Sequence, residues 1–171
     1  HLSLLPVNRS ATTRPPAPAL TCAPAQPKLP AGISNGFVAT ALVYHGPWSR
    51  VYRVRPVSSD GRDAPYAMKL PATNGQDPIL SENMLRREIR VLQSASHPNL
   101  VSLLDYWVEK NRSYLLTPYL EGATLRDVFD SGLCCPLGHS LWVARQMAEA
   151  LAALHAAGWR HGDIKPANVL V

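Results

Sequence analysis

From Phe37 onward, apolar and polar positions recur at regular spacing; before it they do not. Phe37-Val38-Ala39-Thr40-Ala41-Leu42-Val43-Tyr44 reads as a strand. Val51-Tyr52-Arg53-Val54-Arg55-Pro56-Val57 alternates and reads as a second. Ser58-Ser59-Asp60-Gly61 is a turn cluster, and Tyr66-Ala67-Met68-Lys69-Leu70 a short third strand. After a loop from Pro71 to Asp77, the spacing predicts a helix over about Ser81 to Gln93, capped by Ser81 or Asp77. Leu100–Leu104 and Ser113–Thr117 read as two more strands, with Lys110-Asn111-Arg112 at the turn. Pro118 to Gly122 breaks the pattern, and Leu125 to Phe129 starts a short helix. Ser140 to Ala157 is a longer helix, apolar at Leu141, Ala144, Met147, Ala148, Leu151 and Leu154, with Gly158 as its stop. Five strands with one helix between the third and fourth, then a mainly helical part, place the chain in the α+β class. No internal repeat is visible.

Residues 1 to about 35 hold seven of the sixteen prolines, many beside alanine, and show no periodicity. Such a stretch buries too little surface to offset its ordering entropy, so the expectation is a disordered tail. Arg9, Arg14 and Lys28 lie in it with no acidic residue before Phe37, and they supply three of the five net positive charges. The basic balance therefore reads as a solvated linker, with no nucleic-acid partner. At 171 residues, 46% of them hydrophobic, the chain has the size and apolar content of about one globular domain. Cys22, Cys134 and Cys135 show no metal-ligand spacing and fit a reducing compartment. Leu2 to Val7 is too short for a signal-peptide core or a membrane span, and no later segment is long and apolar enough. The expectation is a cytoplasmic or nuclear protein with no membrane partner.

Chemistry changes this picture most. His161-Gly162-Asp163-Ile164-Lys165-Pro166-Ala167-Asn168 holds an Asp able to accept a hydroxyl proton, a Lys able to neutralise phosphate charge, and an Asn whose amide oxygen can hold Mg²⁺. Upstream, Leu85, Ile89 and Leu92 share a helical face, and Glu88 falls on or beside it. A carboxylate facing a core is costly unless a cation meets it, and Lys69 on the preceding apolar strand is the natural partner. Taken singly, Lys69 also reads as an exposed strand lysine, and Glu88 as a surface glutamate paired with Arg87. Joined in one order with the 161–168 loop, these bland readings weaken.

That order resembles the protein kinases of eukaryotic, Ser/Thr-like type. Ala67-Met68-Lys69 resembles the V-A-I-K strand, and Glu88 the glutamate of the helix that the family calls αC. Ser96-His97-Pro98-Asn99-Leu100-Val101 resembles the segment before the fourth strand, and Tyr119-Leu120-Glu121-Gly122-Ala123-Thr124-Leu125 the hinge and the segment after it. The terminal loop resembles H-R-D-x-x-x-x-N. The resemblance spans about residues 40–171. It implies a five-stranded antiparallel N-lobe sheet with αC over 36–117, a hinge at 118–122, and the start of a helical C-lobe over 123–171. It implies ATP and Mg²⁺ as cofactors and a protein substrate phosphorylated on Ser or Thr. By position, Val51 and Ala67 would cover the adenine with Leu170 below, and Thr117 would be the gatekeeper. Pro118, through its carbonyl, and Leu120 would give the adenine-contacting backbone. Lys69 and Glu88 would position the α- and β-phosphates, Asp163 and Lys165 would be catalytic, and Asn168 would hold the metal.

The departures set further expectations. Aligned on Val51, the phosphate-covering loop should read G-x-G-x-x-G-x-V, but only Gly46 remains, with Tyr44 and Ser49 at the outer positions and Pro47 beside it. Weaker or altered nucleotide binding is expected, because glycines there let backbone N–H groups approach phosphate. Gly162 stands where an arginine usually meets a phosphorylated activation loop, so activation independent of that contact is expected. No D-F-G is present in the sequence. The chain therefore reads as a fragment, inactive in isolation, with an uncovered apolar face on its last helix and poor solubility. Two other readings stay open: a small-molecule kinase of the aminoglycoside or choline type, whose loop is often H-G-D-x-x-x-x-N, and a pseudokinase or interaction module. Trp107, Trp142 and Trp159 read as core or groove packing, His161 as a brace for the loop, and Arg86, Arg87 and Arg90 as a solvated helix face.

Overall fold

The computed structural model describes residues 27–30, 36–59, 61, 63–72, 77–109 and 112–171. The expectations for 1–26, 31–35, Asp60, 73–76 and Lys110–Asn111 lie outside these residues.

Five strands form one antiparallel sheet: β1 (Phe37–His45), β2 (Ser49–Pro56), β3 (Tyr66–Pro71), β4 (Asp105–Glu109) and β5 (Arg112–Pro118). Their spatial order is β1-β2-β3-β5-β4. Helix α1 (Pro78–Ser94) lies between β3 and β4 in the sequence, and β5 pairs with both β3 and β4.

Strand periodicity divides the side chains between two cores. Tyr52, Val54, Met68, Leu70 and Leu116 fill one face with Ala39, and Val54 and Met68 are sealed completely. The opposite face carries Leu115, which packs with Leu85 and Ile89 of α1 and, partly buried, Leu92 and Leu103. Each large apolar side chain removed from water here contributes about 1.5–3 kcal/mol before entropy is counted.

The first cluster also holds part of the stretch expected to be disordered. Leu29, from the described residues 27–30, packs against it together with Phe37, Tyr66 and Tyr114. One leucine between prolines carries no periodic signal, so this docking was invisible to pattern reading.

Helix α1 starts earlier than the spacing suggested. Asp77 is the cap, its Oδ1 accepting from Leu80 N–H at 2.9 Å, and Pro78 sits in the first turn, where its missing N–H costs nothing. Ser81 is a buried residue inside the helix, its hydroxyl donating to the Asp77 carbonyl at 3.0 Å. Ile79 and Leu80 are exposed, which hid this first turn from an amphipathic pattern.

The fourth strand is the clearest correction. Leu100–Leu104 is not a strand; the ladder runs over Asp105–Glu109. Leu103 is instead drawn under α1, and pairing starts only at Leu104, whose N–H donates to the Leu116 carbonyl at 2.9 Å. An apolar run does not fix strand geometry: Leu103 packs under α1 while Val101 and Leu104 stay exposed, and the edge strand Asp105–Glu109 is exposed throughout, so no apolar alternation marks it.

Beyond β5 come α2 (Leu125–Asp130), α3 (Leu137–Ala156) and a 3₁₀ turn at Pro166–Asn168. Thr124 and Asp127 form a reciprocal capping box for α2. Helix α3 begins at Leu137, three residues before the expected Ser140, because the Pro136 carbonyl accepts from both His139 and Ser140. It ends as expected at Gly158, whose φ of 81° lets Gly158 N–H reach the His155 carbonyl and Trp159 N–H reach that of Leu154. Of its apolar positions only Ala150 and Leu154 are buried, while Leu141 and Trp142 are exposed. Trp107 is exposed too, so of the two expected roles, core or groove packing, the core is ruled out for both tryptophans; one lies on an edge strand and the other on α3. Among the described residues no helix is long and apolar enough to cross a membrane.

Candidate active site

Alternation along β3 decides the first half of the site. Met68 and Leu70 point into the sealed core, so Ala67 and Lys69 take the other face, the one α1 covers. Val51 lies opposite Lys69 in the β2–β3 register, and Tyr44 lies opposite Val51. Ala67 is flanked by Arg53 on β2 and Thr117 on β5. Val51, Ala67, Lys69 and Thr117 therefore share one face, with Thr117 buried.

Packing of Leu85 and Ile89 on Leu115 turns the intervening helical surface toward the sheet. Glu88 meets Lys69 there, its two oxygens 2.9 and 2.6 Å from Nζ. A second tie holds the start of the helix. Glu82 Oε1 accepts from Arg86 Nε at 2.9 Å and from the buried Ser113 hydroxyl, while Arg86 Nη2 donates to the Glu109 carbonyl at 2.9 Å. Arg86, read as solvated, thus bridges α1 to the β4–β5 hairpin.

Gly46 opens the turn between β1 and β2, its N–H donating to the Ser49 carbonyl at 2.9 Å. The Tyr44 ring lies over it so closely that a Cβ at residue 46 would collide with the ring. The Tyr44 side chain is half exposed and can swing aside, so the crowding does not itself demand glycine, but the Gly46 N–H is already engaged.

Pro118 ends β5, and Tyr119 N–H donates to the Pro65 carbonyl at 2.7 Å. Leu120 is exposed beyond it. Among the described residues, Arg53 pairs with Glu121 at 2.7 Å and Asn99 Nδ2 donates to the Gln146 carbonyl at 3.4 Å, which joins this half of the molecule to the part that follows β5.

The second half of the site is the 161–168 loop. Gly162 has a φ of 78°, and the His161 Nδ1 accepts from Asp163 N–H at 3.3 Å, the bracing role expected of that histidine. The Pro166–Asn168 turn brings Asn168 back over Asp163. Asn168 Nδ2 donates to the Asp163 carbonyl at 2.8 Å and to Oδ2 at 3.0 Å, and Lys165 Nζ meets the same Oδ2 at 2.7 Å. The hydrogen bond from Lys165 first, then that from Asn168, holds the Asp163 carboxyl below the ordinary aspartate range. Both donors converge on Oδ2, which leaves Oδ1 open. After the turn, Val169–Val171 pairs with Ala123–Leu125: Leu125 N–H donates to the Val169 carbonyl at 2.8 Å and Val171 N–H to that of Ala123 at 3.0 Å. Leu170, half exposed, bridges Thr124 in this pairing.

The twelve residues singled out in the sequence thus gather into a sheet group around Lys69 and Glu88, a connecting segment at 117–120, and a loop group around Asp163. Sequence reasoning missed Arg53, Glu82 with Ser113, and the pairing behind the loop. A charge on the inward face of a strand, as at Arg53, was the available signal.

Comparison with known proteins bears on this arrangement. A model of the protein kinase domain matches residues 41–171. An Aurora kinase from Eremothecium gossypii is 32% identical over 134 residues, covering 74% of this chain and 34% of its own. The human serine/threonine-protein kinase ULK1 is 29% identical over 130 residues, 76% of this chain and 12% of its own. The serine/threonine-protein kinase pkn2 of Myxococcus xanthus is 37% identical over 86 residues, 50% of this chain and 10% of its own. The chain thus spans between a tenth and about a third of the length of these relatives. With the antiparallel five-stranded sheet and the Lys69–Glu88 pair, the match over 41–171 establishes that the chain belongs to the protein kinase domain family.

Proposed function

We propose that this chain carries the nucleotide-binding face and catalytic loop of an ATP-dependent kinase that phosphorylates Ser or Thr hydroxyls of a protein. The observation that carries the reading is that two separate groups are both assembled. Lys69 is held by Glu88, and Asp163 is held by Lys165 and Asn168.

The roles follow from what each group has left to offer. Glu88 fixes Lys69 Nζ on the sheet face beneath Val51 and Ala67, where a cation suits the phosphates of a nucleotide stacked on those side chains. Thr117 and the Pro118–Leu120 backbone border the same face and would read the purine. Asp163, ionised and with Oδ1 open, orients a substrate hydroxyl and accepts its proton. Lys165 beside it offsets negative charge on the transferred group.

A divalent cation fits in a limited way. Asn168 spends its amide nitrogen on Asp163, so its Oδ1 is free to ligate. Among the described residues no group of three His, Cys, Asp or Glu side chains is placed to hold a metal ion. Asn168 suits Mg²⁺ that takes its remaining oxygens from phosphate and water. When bound, Mg²⁺ would neutralise phosphate charge during transfer.

Tyr44 supports one modification of this reading. Its ring occupies the space over Gly46, and Gly46 N–H is committed to Ser49. The hairpin offers phosphate less than a glycine-rich loop would, so nucleotide affinity rests chiefly on Lys69 and the sheet face. Lys165-Pro166 after the aspartate favours a protein substrate over a small-molecule one.

Transfer of labelled γ-phosphate from ATP to a protein substrate by the full-length protein, with phosphoamino-acid analysis of the product, tests the proposal. Label on Ser or Thr that disappears in Lys69→Met and Asp163→Asn supports it. Nucleotide binding without transfer would favour a pseudokinase, and transfer to a small molecule alone would overturn the protein-substrate assignment.

A further inference from the structure

Arg53 stands two residues beyond Val51, on the inward face of β2 and opposite Ala67. A cation there is costly without partners. Among the described residues, the contacts of its guanidinium lie where the chain enters or leaves the sheet beside the proposed base site. Nε donates to the Ala64 carbonyl at 2.9 Å, Nη2 meets Glu121 Oε1 at 2.7 Å, and Cζ lies 4.1 Å from the centre of the Tyr119 ring. A planar guanidinium can stack on a ring and bond outward from its edge together; an ammonium cannot.

The segment that Arg53 grips needs such a hold. Pro118 has no N–H to give, Leu120 is half exposed, and Tyr119 N–H to the Pro65 carbonyl is the backbone bond tying this stretch to the loop before β3. Backbone with few buried contacts opens readily. Arg53 reinforces that bond from both sides, binding Ala64 next to Pro65 and Tyr119 itself.

We propose that Arg53 is a positioning residue for the nucleotide base: it locks the Pro118–Leu120 backbone in the conformation that reads the purine edge, while having no part in phosphate binding. This rests on the nucleotide-binding reading above and adds to it a residue acting on the base alone.

Calorimetry on the full-length protein separates the possibilities, with adenosine and inorganic tripolyphosphate as independent probes in the presence of Mg²⁺. In Arg53→Met, loss of the stacked and charge-assisted contacts should weaken adenosine binding about five- to tenfold. Tripolyphosphate binding should be unchanged, and KM for ATP should rise in step with kcat preserved. Arg53→Lys, which keeps the charge toward Glu121 but not the stack, should fall between, and it serves if Arg53→Met does not fold. Unchanged adenosine affinity in a folded variant overturns the proposal, as does equal weakening of both probes. If the wild-type protein binds neither probe, the nucleotide reading itself fails and takes the proposal with it. If the wild type binds adenosine and both variants match it, only the clamp fails.

Discussion

Lys69 on β3 and Glu88 on α1 are joined through both carboxylate oxygens across nineteen residues of sequence. Neither residue creates this pair alone. The Leu85–Ile89–Leu115 cluster sets the rotation of α1, and Glu82 with Ser113 sets where its first turns sit against the hairpin. The pair is about one-third exposed, 29% for Lys69 and 38% for Glu88, so water screens it. Its removal should cost stability only about 0–1 kcal/mol. Lost electrostatic preorganisation should cost far more in rate: Lys69→Met and Glu88→Gln should each lower kcat/KM by about 10²–10³-fold. The double variant should be little worse than either, since both act as one unit. Rates and urea denaturation of the four proteins check this; additive losses would count against a shared role.

The Glu82–Ser113 tie predicts the opposite balance. Ser113 is completely buried, and its hydroxyl donates to a carboxylate that is itself mostly shielded. Ser113→Ala removes that donor and should destabilise the folded protein by about 1–3 kcal/mol. The urea midpoint should move while the slope stays constant. An unchanged midpoint would show that Arg86 alone satisfies Glu82.

Asp163 yields a pH prediction whose sign is fixed by its partners. Lys165 and Asn168 stabilise the charged form, so its folded pKa lies below its unfolded value. Any stability it lends is fully present above the unfolded value and is lost as pH falls through the folded one. The same ordering applies to activity: a rate requiring ionised Asp163 should persist through the ordinary aspartate range and fail only below it. Lys165→Ala should shift that acidic limb upward, and a carboxyl NMR titration of the full-length protein should show the same upward move. A titration midpoint that ignores Lys165 would remove the basis for this argument.

How much of this could be read from the chain depends on how local each signal is. Lys69 was legible because β3 alternates strictly, and Glu88 because it sits between Leu85 and Ile89 on one helix. The Asp163–Lys165–Asn168 group was legible because a single 3₁₀ turn closes it. Arg53 with Glu121, and Glu82 with Ser113, were not legible, since each joins a strand to a helix or to the segment after β5 that only tertiary packing brings near it. The misplaced fourth strand has the same origin: Leu103 was recognised as apolar, but its partner proved to be α1 rather than a strand.

Tyr44 offers a gain-of-function test. Its ring covers Gly46 on the face that carries Val51 and Lys69. Tyr44→Gly uncovers the hairpin and frees it to close over a ligand, so ATP should bind more tightly, by about three- to tenfold if one N–H other than that of Gly46, which Ser49 holds, reaches phosphate. Adenosine, which has no phosphate, should gain nothing. Titration of both ligands into the two full-length proteins decides it; equal gains would mean that Tyr44 blocks the base rather than the phosphates.

Gly122 tests whether the pairing behind the catalytic loop matters. Its φ of 149° is open to glycine and strained for other residues, and an added Cβ would stand 3.0 Å from the Val171 carbonyl. Backbone oxygen cannot retreat as a flexible side chain can, so Gly122→Ala must loosen the Ala123–Leu125 pairing with Val169–Val171, at about 1–3 kcal/mol of local strain. That pairing carries the residue next to Asn168, whose amide is what closes the loop over Asp163. Hydrogen exchange at the Leu125 and Val171 amides should therefore quicken. The transfer rate should fall while adenosine affinity, set on the sheet face, holds. Faster exchange without a fall in rate would show that the 3₁₀ turn positions Asn168 unaided.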